Sequence, residues 1–270
     1  MEIQPTEQKK SFLQNDRLLV CSMLAIYGIC FLGVVGTVFW GLNRRNQTIS
    51  TNATATAAII ATEQAKVTAT AVARTAEQEK YEYIERFDRI TGDWFVGMYE
   101  RKYGNARITI RDGVYIWNII DSKSYTQATD FYKDSQIKDF DIYVDSKFVG
   151  DSKLGAVCSG FFFRKTDIQW EDGAYIFTIC NDSRFEVQYY GKDGWHPITV
   201  SGYISVINRS DWNRIEISAR GNHFTFTINN TEVFEMTNDR LKRGSLGVFI
   251  NITEGNPAEI WFDNFGYQSR

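Results

Sequence analysis

The stretch Ala156–Cys180, AVCSGFFFRKTDIQWEDGAYIFTIC, holds two apolar runs separated by a polar loop that ends in glycine. Folded back on itself with Arg164 opposite Ala174, it sets Phe163 against Tyr175, Phe161 against Phe177 and Ser159 against Ile179 on one face. On the other face Phe162 meets Ile176 and Cys158 falls opposite Cys180. A single antiparallel register therefore aligns both the aromatic rings and the thiols, and such cross-strand pairs are what hold a sheet together. Directly opposed residues at a non-hydrogen-bonded position come close enough for a disulfide. A Cys158–Cys180 bridge and two buried free thiols both remain open for that pair.

The alternating period extends along most of the chain. It predicts strands at Gly113–Ile120, Phe140–Val144, Val157–Arg164, Ala174–Cys180, Phe185–Tyr190, Arg214–Ala219, His223–Ile228, Val233–Met236, Leu246–Ile250 and Glu259–Phe265, with Gly-bearing turns between them. Many short strands with no helix among them indicate a two-sheet sandwich or barrel, so 81–270 is read as all-β. In HFTFTINNTEVFEM a two-residue Asn229-Asn230 turn would set Glu235 opposite Phe224 on an apolar face. A three-residue loop, Asn229–Thr231, instead pairs Phe226 with Phe234 and Phe224 with Met236, and is the expectation here.

The composition agrees. Of 270 residues 43% are apolar and 15% aromatic, which excludes a wholly disordered chain. The net charge of -3 carries no basic block, so a nucleic-acid partner is not expected. Two His and four Cys leave little material for a His/Cys metal site.

Upstream of the strands the chain has three parts. Residues 1–17 form a polar tail. Residues 18–42, LLVCSMLAIYGICFLGVVGTVFWGL, carry no charge and are long enough to cross a bilayer as a helix. A buried core helix would be shorter and amphipathic, and a cleaved signal peptide would have a shorter apolar region and a small-residue cleavage site. The run ends in Trp40 followed by Arg44 and Arg45, which suits an uncleaved anchor with Trp40 at the interface. Lys9, Lys10 and Arg17 before the span outnumber the two arginines after it, so the N-terminus is placed in the cytoplasm and the C-terminal domain outside it. Residues 43–80 form an Ala/Thr-rich stalk. Within it ATATAAIIATEQAK (53–66) repeats as VTATAVARTAEQEK (67–80), a two-heptad period whose Ala stripe is read either as a thin coiled coil joining copies of the chain or as a low-complexity spacer. YEYIERFDR, which follows, is expected to prolong the helix briefly.

Several segments resemble a known family. Ser159-Gly160-Phe161-Phe162-Phe163-Arg164 is similar to the "SGIFxR" strand of concanavalin A-like jelly rolls related to the 3-keto-disaccharide hydrolase and laminin-G-like domains. Trp212–Asn222, WNRIEISARGN, resembles their "WNxxxIxAxGN" segment, and Gly244-Ser245-Leu246-Gly247 with Phe262-Asp263-Asn264-Phe265 resembles their "GxIGL…FDNF" ending. Phe87-Asp88, Trp94 and Gly113-Val114-Tyr115-Ile116-Trp117 fit membrane-anchored bacterial members. The resemblance covers roughly 87–267 and implies a two-sheet concanavalin A-like jelly roll. In hydrolase-type members the strand after "SGIFxR" carries a Tyr-Glu pair, whereas this chain reads Tyr175-Ile176 and lacks the acid.

Catalytic patterns are scarce. The E-x-D-x-x-E strand of jelly-roll glucanases is absent, Glu171-Asp172 fall in a loop, and Glu216 alternates outward. His196 and His223 show no carboxylate at helical or hairpin spacing, which speaks against a His-based triad. No catalytic residue is assigned, and if the chain is an enzyme the resemblance implies a glycoside hydrolase. No cofactor is expected, although this fold would allow a calcium ion near the chain ends with Asp263 as ligand; the alternative is that Asp263 caps the last strand. For binding, aromatic rings stack on the C–H faces of sugars while neighbouring polar groups bond the hydroxyls. Trp170, Tyr190 and Trp195 are the candidates, the alternative being that they fold over a sheet edge as satellite core. The expectation is a membrane-anchored module that binds a glycan or cell-surface polymer without cleaving it. A hydrolase of the 3-keto-disaccharide type and an assembly subunit joined through span and stalk are the other readings.

Overall fold

The computed structural model describes residues 37, 40–41, 43–45, 54–72, 75–101, 104–122, 125–130, 136–150, 156–166, 173–252 and 257–270. The described part of 37–45 is helical, with the Arg44 guanidinium 4.3 Å from the Trp40 ring centroid. Most of the apolar run 18–42, together with the tail 1–17, lies outside the described residues. Among those described, no helix is long and apolar enough to cross a membrane.

The chain separates into two compact units, Met1–Ala73 and Arg74–Arg270. In the first, residues 54–72 form an exposed helix. Threonine is a poor helix former because its hydroxyl competes for backbone groups, and here that competition is turned back onto the helix itself. Thr62 Oγ1 donates to the Ala58 carbonyl at 2.8 Å and Thr68 Oγ1 to the Gln64 carbonyl at 2.9 Å.

The second unit is a sandwich of two antiparallel sheets. In chain order its strands are β1 (Tyr83–Glu85), β2 (Gly97–Arg101), β3 (Gly104–Arg111), β4 (Val114–Ser122), β5 (Tyr125–Asp130), β6 (Phe140–Val149), β7 (Val157–Lys165), β8 (Ala174–Cys180), β9 (Phe185–Gly191), β10 (Gly194–Val200), β11 (Asn213–Arg220), β12 (His223–Ile228), β13 (Thr231–Thr237), β14 (Ser245–Ile252) and β15 (Ala258–Ser269). Nine strands form one sheet in the order β13-β12-β11-β6-β15-β4-β3-β2, with β1 beside β15; six form the other in the order β10-β9-β8-β7-β14-β5. The inward residues of both sheets make one continuous core, including Phe161, Phe163, Phe177, Phe224, Phe226, Ile260 and Phe262.

The two hairpins test the sequence reading. Between β7 and β8 the pairs are Cys158 with Cys180, Ser159 with Ile179, Phe161 with Phe177, Phe162 with Ile176 and Phe163 with Tyr175, as the register requires. Cys158 and Cys180 are joined by a disulfide with S–S 2.05 Å. Between β12 and β13 Phe224 meets Met236 and Phe226 meets Phe234 as expected, but the expected three-residue loop is wrong. Asn229 and Asn230, with φ 49° and 63°, form a two-residue turn of the kind that matches strand twist. A bulge after Phe226 then absorbs the extra residue and restores the aromatic pairing.

A second correction concerns Tyr81–Glu85. The helix stops at Lys80, because Tyr81 is buried edge-on against Tyr143 (4.6 Å) and Tyr83–Glu85 pair with Phe265–Tyr267 of the last strand. Glu77, one turn earlier, is ion-paired with Arg214, whose Nε also donates to Asp145 at 2.8 Å. The helical stretch 75–80, which belongs to the second unit, is therefore pinned to the outer face of the nine-stranded sheet. The aromatic motif upstream has a packing role: Phe87 stacks on Tyr115 at 5.1 Å, and Trp94 stands edge-on to Phe87 and Phe265.

On the same sheet Asp141 accepts from Arg220 Nη2 and Arg270 Nε, each at 2.8 Å. Burial alone would raise its pKa, but hydrogen bonds from Ser218, Arg270 and Arg220 outweigh that and hold it below the usual carboxylate value. Its contribution to stability is then complete above about pH 4 and lost as pH falls through the lowered native value. Thermal unfolding followed from pH 6 to pH 2 should show a steep acid loss for the parent, and a shallower one for Asp141→Asn. Equal slopes would remove Asp141 from the acid response.

Candidate functional site

The outer face of the six-stranded sheet is where alternation places every candidate binding residue on a strand. Across β10, β9 and β8 the first row is Trp195, Tyr190 and Ala174. The next row, from β9 to β14, is Gln188, Ile176, Phe162 and Gly247. Beyond it lie Glu186, Thr178, Gly160 and Phe249, and then the Cys158–Cys180 bridge. Gly160 lets β7 and β8 approach closely: a Cβ there would lie 2.1 Å from the Phe177 carbonyl oxygen.

This face is apolar at its centre. Phe162, Ala174, Ile176 and Phe249 form a buried cluster separate from the main core, with half-buried Tyr190 packed against it. Lys165 extends over the cluster, its Nζ 5.0 Å from the Phe162 ring centroid. Trp195 lies at the rim, 4.8 Å from the Tyr190 ring and 6.0 Å from the Phe249 ring, and is still 41% exposed. Tyr190 and Trp195 thus pack on a satellite cluster, the alternative raised for them, and Trp195 also presents ring surface to solvent. Trp170 lies outside the described residues.

Ile176 occupies the position where the family resemblance places an acid, and that position is the middle of this face. Its neighbours across the strands are Phe162 and Gln188. Among the described side chains of the face, Glu186 is the one carboxylate, and it accepts from Gln188 Nε2 at 2.6 Å with Arg184 3.7 Å away. Tyr175, the other half of the family pair, points into the core; its hydroxyl donates to Asn238 at 2.7 Å and accepts from the Leu241 amide at 3.2 Å.

Two further readings change, and one gains a detail. Each histidine does have a carboxylate: His196 Nε2 lies 2.9 Å from Asp193 across the β9–β10 turn, and His223 Nε2 lies 2.6 Å from Glu235 across β12–β13. Among the described residues, no Ser, Thr or Cys side chain is hydrogen-bonded to either pair. Glu216 alternates outward between buried Ile215 and Ile217 as expected, but it is half-buried near Lys80, and burial raises its pKa. Asp263 does not cap the last strand. It sits mid-β15 at a bulge, accepts from the Asn264 amide at 2.7 Å, and shares the Asn264 side chain with Asp145. Asp145 is already held by the Arg214 guanidinium, so this cluster does not fit a calcium ion.

Sequence reasoning overlooked Glu186, Gln188, Lys165 and Phe249. The first two share parity with Tyr190 in FEVQYY and were legible in principle; Phe249 comes from a distant strand and was not.

Two antiparallel sheets with these connections make a concanavalin A-like jelly roll. The family described as the 3-keto-alpha-glucoside-1,2-lyase-like domain matches residues 82–266, and the chain belongs to that family. Among solved structures it is similar to a glycoside hydrolase family 16 endo-glucanase from Bacteroides ovatus (9% identity, TM-score 0.52, covering 69% of this chain and 99% of that one). It is also similar to a prokaryotic beta-1,3-1,4-glucanase from a mouse hindgut metagenome (14%, TM-score 0.51, 70% and 99%). A protein with a galectin-like fold from Bacillus subtilis matches as well (11%, TM-score 0.51, 69% and 94%). At these identities the likeness is one of fold. No curated protein matches the chain.

Proposed function

We propose that the sandwich binds a glycan or cell-surface polymer through the outer face of its six-stranded sheet and does not cleave it. The observation that carries this reading is the exchange at the centre of that face. Where related domains place an acid, Ile176 is buried with Phe162 and Phe249, and the group left exposed is the Trp195 ring beside Tyr190. Retaining or inverting hydrolysis of a glycoside commonly uses two carboxyl groups flanking the bond, and among the described side chains of this face Glu186 is the one carboxylate. Stacking a sugar needs an accessible ring with hydrogen-bonding groups nearby, which Trp195 with Gln188 and Glu186 can provide. The proposed placement is outside the cytoplasm, anchored through 18–42 with the N-terminus inside. The uncharged length of that run and the Cys158–Cys180 bridge, typical of oxidising compartments, support it.

A glycan array probed with the full chain in detergent tests the reading. Trp195→Ala is expected to weaken retention on one glycan class about tenfold while the unfolding midpoint stays within a few degrees. Retention unaffected by the substitution would move the site elsewhere. The family match favours a second reading, cleavage of 3-keto-glucosides. Release of a reducing sugar from such a substrate, lost in Glu186→Gln, would establish it in place of the first.

A further inference from the structure

The outer face of the other sheet carries its own aromatic platform. Trp261 on β15 points away from the core between Ile260 and Phe262, and lies across the strands from Lys147 of β6 and Ile116 of β4. Trp212, just before β11, brings its ring to 6.4 Å from Trp261 at 46°. Both rings are partly exposed. Each is held by its neighbours: Trp261 Nε1 donates to Glu259 at 2.6 Å, and Lys147 lies 6.0 Å from the Trp212 ring centroid while pairing with Asp211 at 3.7 Å. Glu259 also accepts from Asn118 Nδ2 at 3.0 Å. Asn118 is in turn the cross-strand neighbour of exposed Arg107. Arg107, Asn118 and Glu259 thus form a polar row across β3, β4 and β15, running beside the two rings.

We infer that this surface is a second saccharide site, taking an extended neutral polysaccharide chain. The fixed rings offer faces for pyranose C–H groups, and the polar row offers donors and acceptors for hydroxyls in the same plane. With the adjacent row included, three bases, Arg107, Lys147 and Arg214, stand against four acids, Glu259, Asp211, Asp145 and Asp263, a near balance that suits an uncharged ligand better than a polyanion. The surface lies on a sheet face with no aliphatic side chain exposed beside the rings, since Ile116 is buried, so it fits a sugar chain better than a lipid. The glycan reading of the opposite face is used here for ligand class only.

Affinity electrophoresis of the full chain in detergent, through gels cast with mixed-linkage β-glucan, laminarin, xylan or pullulan, tests this. The parent is expected to be retarded by at least one of them, and Trp261→Ala and Trp212→Ala each to weaken that binding about tenfold. Asn118→Ala, an exposed change that leaves the packing intact, should weaken it about threefold and decides the matter if a tryptophan variant fails to fold. Retardation lost in Trp261→Ala but kept in Trp195→Ala upholds this site and removes the other. The converse overturns this inference and leaves the Trp195 reading standing. A parent retarded by none of the four gels overturns both.

Discussion

Gly266→Ala is expected to prevent the sandwich from reaching its native packing. A Cβ at this position would lie 1.9 Å from Tyr143 Cε1, far inside contact distance, and φ is not the obstacle. The remedy would be for Tyr143 to move, but its ring is buried and held on two sides. Tyr81 stands against it at 4.6 Å, and the Arg214 guanidinium lies 4.3 Å from its centroid. Arg214 cannot follow, because Asp145 and Glu77 fix it. Overpacked cores usually cost about 1–3 kcal/mol when neighbours can relax, so about 3 kcal/mol or more is expected where they cannot. Against a domain stability of roughly 5–15 kcal/mol that is a large share. Urea unfolding of the parent and variant chains would measure it. Tyr143→Leu in the Gly266→Ala background should recover part of the loss, and no recovery would mean that the clash is not with Tyr143.

Arg164→Met should cost a similar amount by a different route. Alternation would turn Arg164 outward with Phe162, yet its φ of 52° at a bulge turns the side chain between the sheets. There it is 1% exposed, lies 4.5 Å from the Phe224 ring centroid, and donates to the carbonyls of Lys138, Gly221 and Leu241 at 2.5–2.8 Å. Burial lowers its pKa, with Asp139 and Tyr175 opposing that change. Methionine keeps most of the volume but leaves three carbonyls without a donor, each costing about 1–3 kcal/mol when it cannot reach water. A loss of about 3–5 kcal/mol is expected, and Arg164→Lys should restore only part of it because one ammonium cannot reach all three carbonyls in the same fork. A loss below about 1 kcal/mol for Arg164→Met would mean that water replaces the guanidinium.

How much of this was legible follows from where each interaction reaches. The Val157–Cys180 hairpin could be read because both partners lie within one short stretch and two independent patterns agreed on a single register. The Asn229-Asn230 turn misled because the sequence showed two constraints in conflict, and the bulge that reconciles them is a backbone event with no residue signature of its own. The ending of the helix at Lys80 was hidden for another reason: the residues that stop it, Tyr143 and Phe265–Tyr267, are 60 or more positions away. Strands β2, β5 and β10 were missed because stretches such as GMYER lack strict alternation, whereas β3 was overlooked although Ala106–Arg111 alternates apolar and polar residues. At the candidate site, the missing acid at 176 was visible in the sequence, whereas the cluster that replaces it draws Phe249 from β14. Trp212 opened one of the family motifs and Trp261 stands just before another, but only the neighbouring of β11, β6 and β15 sets the rings side by side.

The pairing of Tyr83–Glu85 with Phe265–Tyr267, reinforced by the Arg270 amide donating to the Asp139 carbonyl, brings the entrance and exit of the domain side by side. Such a domain is a cassette: it can be spliced into a surface loop of another protein, or set at the end of a helix, without altering any strand order. The same closure makes it a natural candidate for circular permutation. New ends opened at the Asn229-Asn230 turn, with a short linker from Arg270 back to Tyr81, would leave both sheets intact.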